Sequence, residues 1–237
     1  VDDAGAGLRF LLGLAMLAGA VPPDVIRRRV PNSWWVPFAM LSAVLLLGDL
    51  LQPGRDWRRL AVAYGGAAAV AGAMYAFWRL HLFGGADAKA LMVLAFLAPW
   101  PSPHAPAPLP PAFDALANGS ALMLALPAAC LLFNVLRGDF AVPAMLLGWR
   151  APLARARAAH VWPLQRVRGD GSVGWVYWRR ASLDSLDAEY DALEAARVER
   201  VWVTAKVPFL VPLALGLALS WWTGNLLLRF AMAVSNP

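Results

Sequence analysis

A single cysteine, Cys130, leaves no partner for a disulfide within the chain and no thiolate set for a zinc site. The three histidines, His81, His104 and His160, are scattered without ligand spacing, so no metal is expected. No glycine-rich phosphate loop stands out, and no cofactor is expected either. Charge is also scarce. Only 15% of the residues are charged, against about a quarter in an ordinary soluble domain. That shortage argues against a soluble fold, and the apolar residues say what replaces it.

Sixty per cent of the chain is hydrophobic, arranged in runs without a charge: residues 34–47, 60–78 and 207–228. A helix needs roughly 20 apolar residues to cross the hydrocarbon core. The runs reach that length alone or with their flanks. The expected fold class is an all-α membrane protein, a bundle of about six transmembrane helices. A small cytosolic α+β insertion is expected between the fifth and sixth spans. Residues 1–136 form the first five helices, 137–206 the cytosolic domain, and 207–237 the sixth helix and tail.

The spans are expected at 8–22, 34–51, 60–82, 87–100, 115–136 and 207–233. The first lacks a basic flank and carries Asp2 and Asp3, so it reads as a retained span and not a signal peptide. Asn32 or Ser33 is placed to cap the second. Ala61, Gly65, Ala69 and Ala73 predict a packing seam on the third, and Gly216, Ser220 and Gly224 another on the sixth. The fourth is short and must be tilted, sheltered or set in a thinned region. Pro208 and Pro212 predict a kink in the sixth. The proline-rich stretch 99–111 reads as a semi-rigid link. Within 137–206, residues 175–178 read as a strand after a turn at 169–171, and 182–200 as a helix.

The net charge of +6 does not indicate nucleic acid, because the basic residues flank apolar runs. With the turn at Arg27, Arg28 and Arg29 cytosolic, only Arg9, Arg55, Arg58, Arg59 and Arg229 fall outside, five of the 21 Lys and Arg. The positive-inside rule therefore predicts a multi-pass protein of the cell membrane with both termini extracytosolic.

Acidic residues at or inside spans point to function. Asp24 ends the first span and Asp87 begins the fourth. The two crossings between them return the chain to the same face. Two carboxylates in one site do not both ionise readily, so one keeps its proton while the other acts as a base. Such a pair activates water against an amide carbonyl. The alternatives are structural: Asp24 pairs with Arg27, and Asp87 caps a helix. Asp49 falls on the opposite face.

Residues 24–32, Asp24-Val25-Ile26-Arg27-Arg28-Arg29-Val30-Pro31-Asn32, resemble the first signature of type IV prepilin peptidases, an aspartate followed by Pro-Asn. Gly84-Gly85-Ala86-Asp87-Ala88-Lys89 resembles their second, Gly-x-Gly-Asp with a following lysine, in the form of the archaeal preflagellin (prearchaellin) branch. The stretches 134–139 and 203–226 look like that branch too. Ala86 departs from the wider pattern, which has glycine there.

The resemblance implies a membrane aspartic endopeptidase with Asp24 and Asp87 as the catalytic pair. It would remove the short basic leader of preflagellin or prepilin-like precursors, after a glycine, at the cytosolic face. Pro31, Asn32, Gly84, Gly85 and Lys89 would shape the site. The dipole at the start of the fourth helix makes Asp87 the expected base. Bacterial members methylate the new N-terminus and carry a domain with paired cysteines. This chain lacks that pair, so no methyl transfer is expected. Membrane lipids are the other expected partner. Two rivals remain open: a proton- or cation-coupled transporter using the same acids, and a non-enzymatic membrane scaffold.

Overall fold

The computed structural model describes residues 3–101, 109–159, 161–177 and 186–235. The middle of the expected 99–111 link, and the start of the expected 182–200 helix, lie outside these. Two compact units emerge: residues 1–122 with 208–237, and residues 123–207.

The first unit is the helical bundle. Its elements are α1 (Asp3–Arg27), α2 (Asn32–Leu51), α3 (Trp57–Arg79), α4 (Gly85–Leu97) and α5 (Pro111–Met123), with α10 (Leu210–Thr223) and α11 (Leu226–Ser235) from the end of the chain. Gly5–Arg27, Asn32–Leu51, Trp57–Arg79 and Pro111–Arg137 are each long and apolar enough to cross a membrane. The bent pair α10 and α11 makes a fifth candidate. Val36, Met40, Val44, Leu47 and Leu51 form an exposed apolar stripe on α2. Water would not tolerate such a stripe, whereas lipid would. The chain is an all-α membrane bundle with a small mixed insertion.

The expected fourth span is the departure. At 13 residues α4 is too short to count as a crossing by length. Ala88, Ala90, Leu91, Leu94, Ala95 and Leu97 are buried around its circumference. It packs against α1, α2, α3 and α10, so it is a core element sheltered from lipid on most sides. The residues after it still reach the far end, where Trp100 packs with Leu60 and Ala63.

Two expected features of the bundle are corrected. Ala61, Gly65, Ala69 and Ala73 face outward, while α3 buries Leu60, Ala63, Ala67 and Met74. In an alanine-rich helix several small rows exist, and the larger Leu60 and Met74 select the buried one. The bend in the last span lies at Gly224–Asn225, where α10 and α11 meet at 49°. Pro212 sits in the first turn of α10, where its missing N–H costs little. Gly224 adopts φ +60 with ψ −143, a conformation open to glycine and strained for other residues. The expected seam of Gly216, Ser220 and Gly224 is buried as the spacing predicts.

At one end of the bundle Arg9, Asp49 and Tyr64 tie α1, α2 and α3 together. Arg9 donates to Asp49 at 2.7 Å and to the Tyr64 hydroxyl at 3.2 Å. That hydroxyl donates to the other Asp49 oxygen at 2.6 Å. Both charges of the pair are buried and mutually satisfied. Removing one partner strands the other in a poorly solvated site. Asp49→Ala is expected to cost about 3 kcal/mol, read as a lower melting temperature in detergent. Tyr64→Phe, which leaves the ion pair intact, costs about 1 kcal/mol. Equal melting of wild type and Asp49→Ala would refute this.

The second unit holds α6 (Ala125–Arg137), α7 (Ala144–Leu147), β1 (Trp149–Pro152), α8 (Leu153–Ala158), β2 (Val161–Pro163), β3 (Gln165–Val167), β4 (Val173–Trp175), α9 (Leu186–Ala195) and β5 (Arg200–Ala205). The boundary between the units falls within the apolar stretch Pro111–Arg137. β5 lies between β1 and β2, antiparallel to both, and β3 pairs with β4 in a separate hairpin. Asn134 donates to the carbonyls of Met145 and Gly148, fixing the turn that enters β1.

The expected strand at 175–178 lies slightly earlier, at β4, and Trp178 is outside the described residues. The expected helix end at Arg200 is also corrected. Arg197 turns left-handed at φ 56, and the amides of Arg197 and Val198 close the helix on Glu194 and Leu193. Val201 and Val203 then bury their side chains from the strand β5. β-branched residues in that alternation favour a strand over another helical turn.

Candidate active site

α1 carries Asp24 in its last turn, just after Pro22 and Pro23. The helix ends where Arg28 adopts φ 54. Asp24 is 8% exposed. Its Oδ2 is buried without a hydrogen-bond partner, and the Leu210 backbone amide, at the start of α10, faces its carboxylate. Asp24 does not form the ion pair with Arg27 that the sequence allowed; the guanidinium acting on it is that of Arg28.

Asp87 sits in the first turn of α4, but it does not cap that helix. Gly84 holds the cap position without any side-chain hydrogen bond. Asp87 therefore has no helix-capping task, and it lies within electrostatic reach of Asp24. The helices that carry the two carboxylates pack against each other. Both acids lie at the end of the bundle away from Arg9 and Asp49, in agreement with the two crossings counted between them.

Other residues of the two motifs are tied to one another. Pro31 holds the N-cap position of α2 in extended backbone, φ −62 and ψ 144. Asn32 does not cap α2 as expected. Its Oδ1 accepts a hydrogen bond from Lys89 Nζ at 2.7 Å. One bond thus ties the first motif to the second across 57 positions of sequence. Phe83 stacks edge-on against Phe209 at 5.8 Å, joining the second motif to the entry of α10.

Gly84, expected to shape the site, acts through the space beside it and not through its backbone conformation. Its φ of −64 is open to any residue. A Cβ there would stand 2.7 Å from Asp87 Oδ2. The glycine makes room for the carboxylate to fold back over the turn. Gly85 is looser, with a Cβ meeting Trp78 Nε1 at 3.4 Å. Gly84→Ala is expected to lower turnover by up to ~100-fold through misplacement of Asp87. Because Gly84 is exposed and its backbone suits alanine, the melting temperature should hold. Unchanged turnover would show that the carboxylate has room to spare.

Residues 10–136 match the type IV leader peptidase family. The chain belongs to that family. Membership makes it a leader peptidase of the membrane. The matched stretch contains both aspartate motifs, and α10, which brings Leu210 to Asp24, lies outside it. No curated protein matches the chain closely enough to report.

Sequence reasoning missed one polar cluster in this leader peptidase. Asp114 and Asn118, one turn apart on α5, meet the break between α10 and α11. Asn118 donates to the carbonyls of Gly216 (3.3 Å) and Gly224 (2.9 Å), and its oxygen accepts from the Leu226 amide at 2.8 Å. Asn225 donates to Asp114 at 3.1 Å. The signal was an acid at the mouth of a long apolar run, which marks a buried task.

Proposed function

We propose that the protein is an aspartic endopeptidase in which Asp24 and Asp87 activate one water molecule between them. The observation that carries this reading is that the two carboxylates lie within electrostatic reach of each other at one end of the bundle, where neither has a capping or ion-pairing role. One carboxylate is ionised and takes a proton from water as the water oxygen attacks the scissile carbonyl. The other, protonated, donates to the carbonyl oxygen. On collapse of the tetrahedral species, the carboxyl that took the proton from water gives it to the departing amine, and the other carboxylate takes back a proton from the gem-diol hydroxyl. Asp24 Oδ2, buried and unpartnered, is the atom best suited to share a proton with Asp87.

Pro31 and Asn32 hold the turn after Asp24, Lys89 ties that turn to α4, and Gly84 and Gly85 keep the approach to Asp87 open. The charge asymmetry of the sequence assigns this end to the cytosol. The substrate is a preflagellin or prepilin-like precursor with a short basic leader, cut after a glycine. No methyl transfer accompanies cleavage.

The transporter reading draws on one feature, the helix break beside the acid Asp114, because broken helices near buried acids are typical of ion-coupled carriers. Among the described residues that break has no counterpart in the first half of the chain, so the peptidase reading is preferred. The purified protein is expected to shorten a precursor by its leader in detergent, seen by mass spectrometry. A precursor left intact while protons move across reconstituted vesicles would favour the carrier.

A further inference from the structure

At the end of the bundle opposite the two carboxylates, a cleft of about 320 Å³ opens beside the first turns of α3. Arg58, Arg59, Val62, Ala63, Trp100 and Pro110 form most of its wall. A smaller hollow of about 190 Å³ adjoins it, sharing Asp56, Arg59 and Trp100 and adding Arg55.

The charges here do not balance. Asp49, at the edge of the smaller hollow, is taken by Arg9 and Tyr64. Asp56 Oδ1 accepts from the amides of Arg58 and Arg59 as the cap of α3. Among the described residues none of Arg55, Arg58 and Arg59 has an ion-pair partner. Arg59 lies over the Trp100 ring at 5.5 Å and Arg55 over Trp57 at 4.2 Å. Two donors are buried with no acceptor: Trp100 Nε1, of a residue lining both cavities, and Arg55 Nε, of a residue lining the smaller hollow. A buried unpaired donor is costly and calls for an explanation.

We propose that this cleft binds the phosphate group of an anionic phospholipid. Guanidinium groups suit phosphate oxygens through paired hydrogen bonds. Arg58 and Arg59 line the cleft, and Arg55, which donates to the Gln52 carbonyl at 3.1 Å, lines the adjoining hollow with Arg59. Val62, Ala63 and Pro110 offer an apolar wall along which an acyl chain runs. The cleft lies at the first turn of a membrane-spanning helix, where headgroups sit. Arginines that merely reach toward water would need neither the concave apolar wall nor the buried unpaired donors. Charge at the end opposite the catalytic pair then anchors the bundle to one leaflet.

The test uses the full chain, purified in detergent and stripped of lipid. It is titrated with phosphatidylglycerol, phosphatidylcholine or inorganic phosphate and followed by native mass spectrometry. One phosphatidylglycerol is expected to be retained. In Arg58→Gln/Arg59→Gln its retention falls about 30-fold, since each basic residue near an anionic headgroup contributes roughly five-fold. Val62→Trp fills the cleft, keeps every arginine, and also weakens retention; it decides the matter if the double variant fails to fold. Arg229→Gln, elsewhere on the bundle, changes nothing. Equal retention of phosphatidylcholine would overturn the proposal, as would full retention in Val62→Trp, which would mean diffuse charge attraction. Inorganic phosphate displacing the lipid at equal concentration would show a free-anion site, and the lipid assignment would fall.

Discussion

Asp24→Asn and Asp87→Asn are each expected to lower the rate of precursor cleavage by about 10³-fold, within the range that loss of a general acid or base produces. Each carboxylate acts only through the other, so the double variant should be no slower than either single one. Folding should survive both changes. Asparagine matches aspartate in shape, and Asp24 and Asp87 hold neither a cap nor an ion pair. Removing one of two neighbouring like charges relieves repulsion. The readouts are a mass-spectrometric cleavage rate and a melting curve on the same preparations. Residual activity near wild type in either single variant would remove the dyad from the mechanism. Loss of activity accompanied by unfolding would show that the carboxylates hold the bundle together instead.

Gly216→Val should produce the largest loss of stability in the bundle. A Cβ at Gly216 would lie 2.5 Å from the Ala115 carbonyl oxygen and 2.5 Å from the Gly119 amide. Gly119 is as tight in the other direction, its Cβ position 2.9 Å from the Pro212 carbonyl. These neighbours are backbone and cannot rotate aside. The two helices must separate, at a cost of about 3 kcal/mol or more. Separation also pulls Asn118 from the carbonyls of Gly216 and Gly224 and from the Leu226 amide. Asn118→Leu isolates that second loss. It leaves buried backbone groups unpaired at about 1–3 kcal/mol each. Both variants displace α10, whose first amide faces Asp24. Activity should therefore fall with stability, although neither residue belongs to an aspartate motif. A Gly216→Val protein that melts and cleaves like wild type would mean that α5 and α10 are not packed this closely.

The bundle was legible because a membrane-spanning helix announces itself by length and lack of charge, which are local properties. The insertion was legible in outline only. Its α9 begins with acids as the dipole favours, but its end depends on Val201 and Val203 finding places between β1 and β2. The same limit appears on α3. Four small residues in a row matched the spacing of a seam, and the neighbours of Leu60 and Met74 chose a different face.

The pair Asp24 and Asp87 could be placed on one face by counting crossings, since direction alternates along the chain whatever the packing. Asp114 escaped notice because its partner, Asn225, is 111 positions away, and no local pattern connects them.

The positions of the long apolar helices, and the return of Asp24 and Asp87 to one end of the bundle, follow from the amino acids in line, because hydrophobic length and the two crossings between the acids need no neighbours; that α4 is a sheltered core helix did not. The tasks of single polar side chains were settled by packing alone. Asn32 was free to cap its helix and instead accepts from Lys89, and Gly84, expected only to shape the site, leaves the space into which the Asp87 carboxylate folds. Hydrogen bonds and excluded volume act over a few ångströms in space, and distance along the chain does not reveal who will be that close.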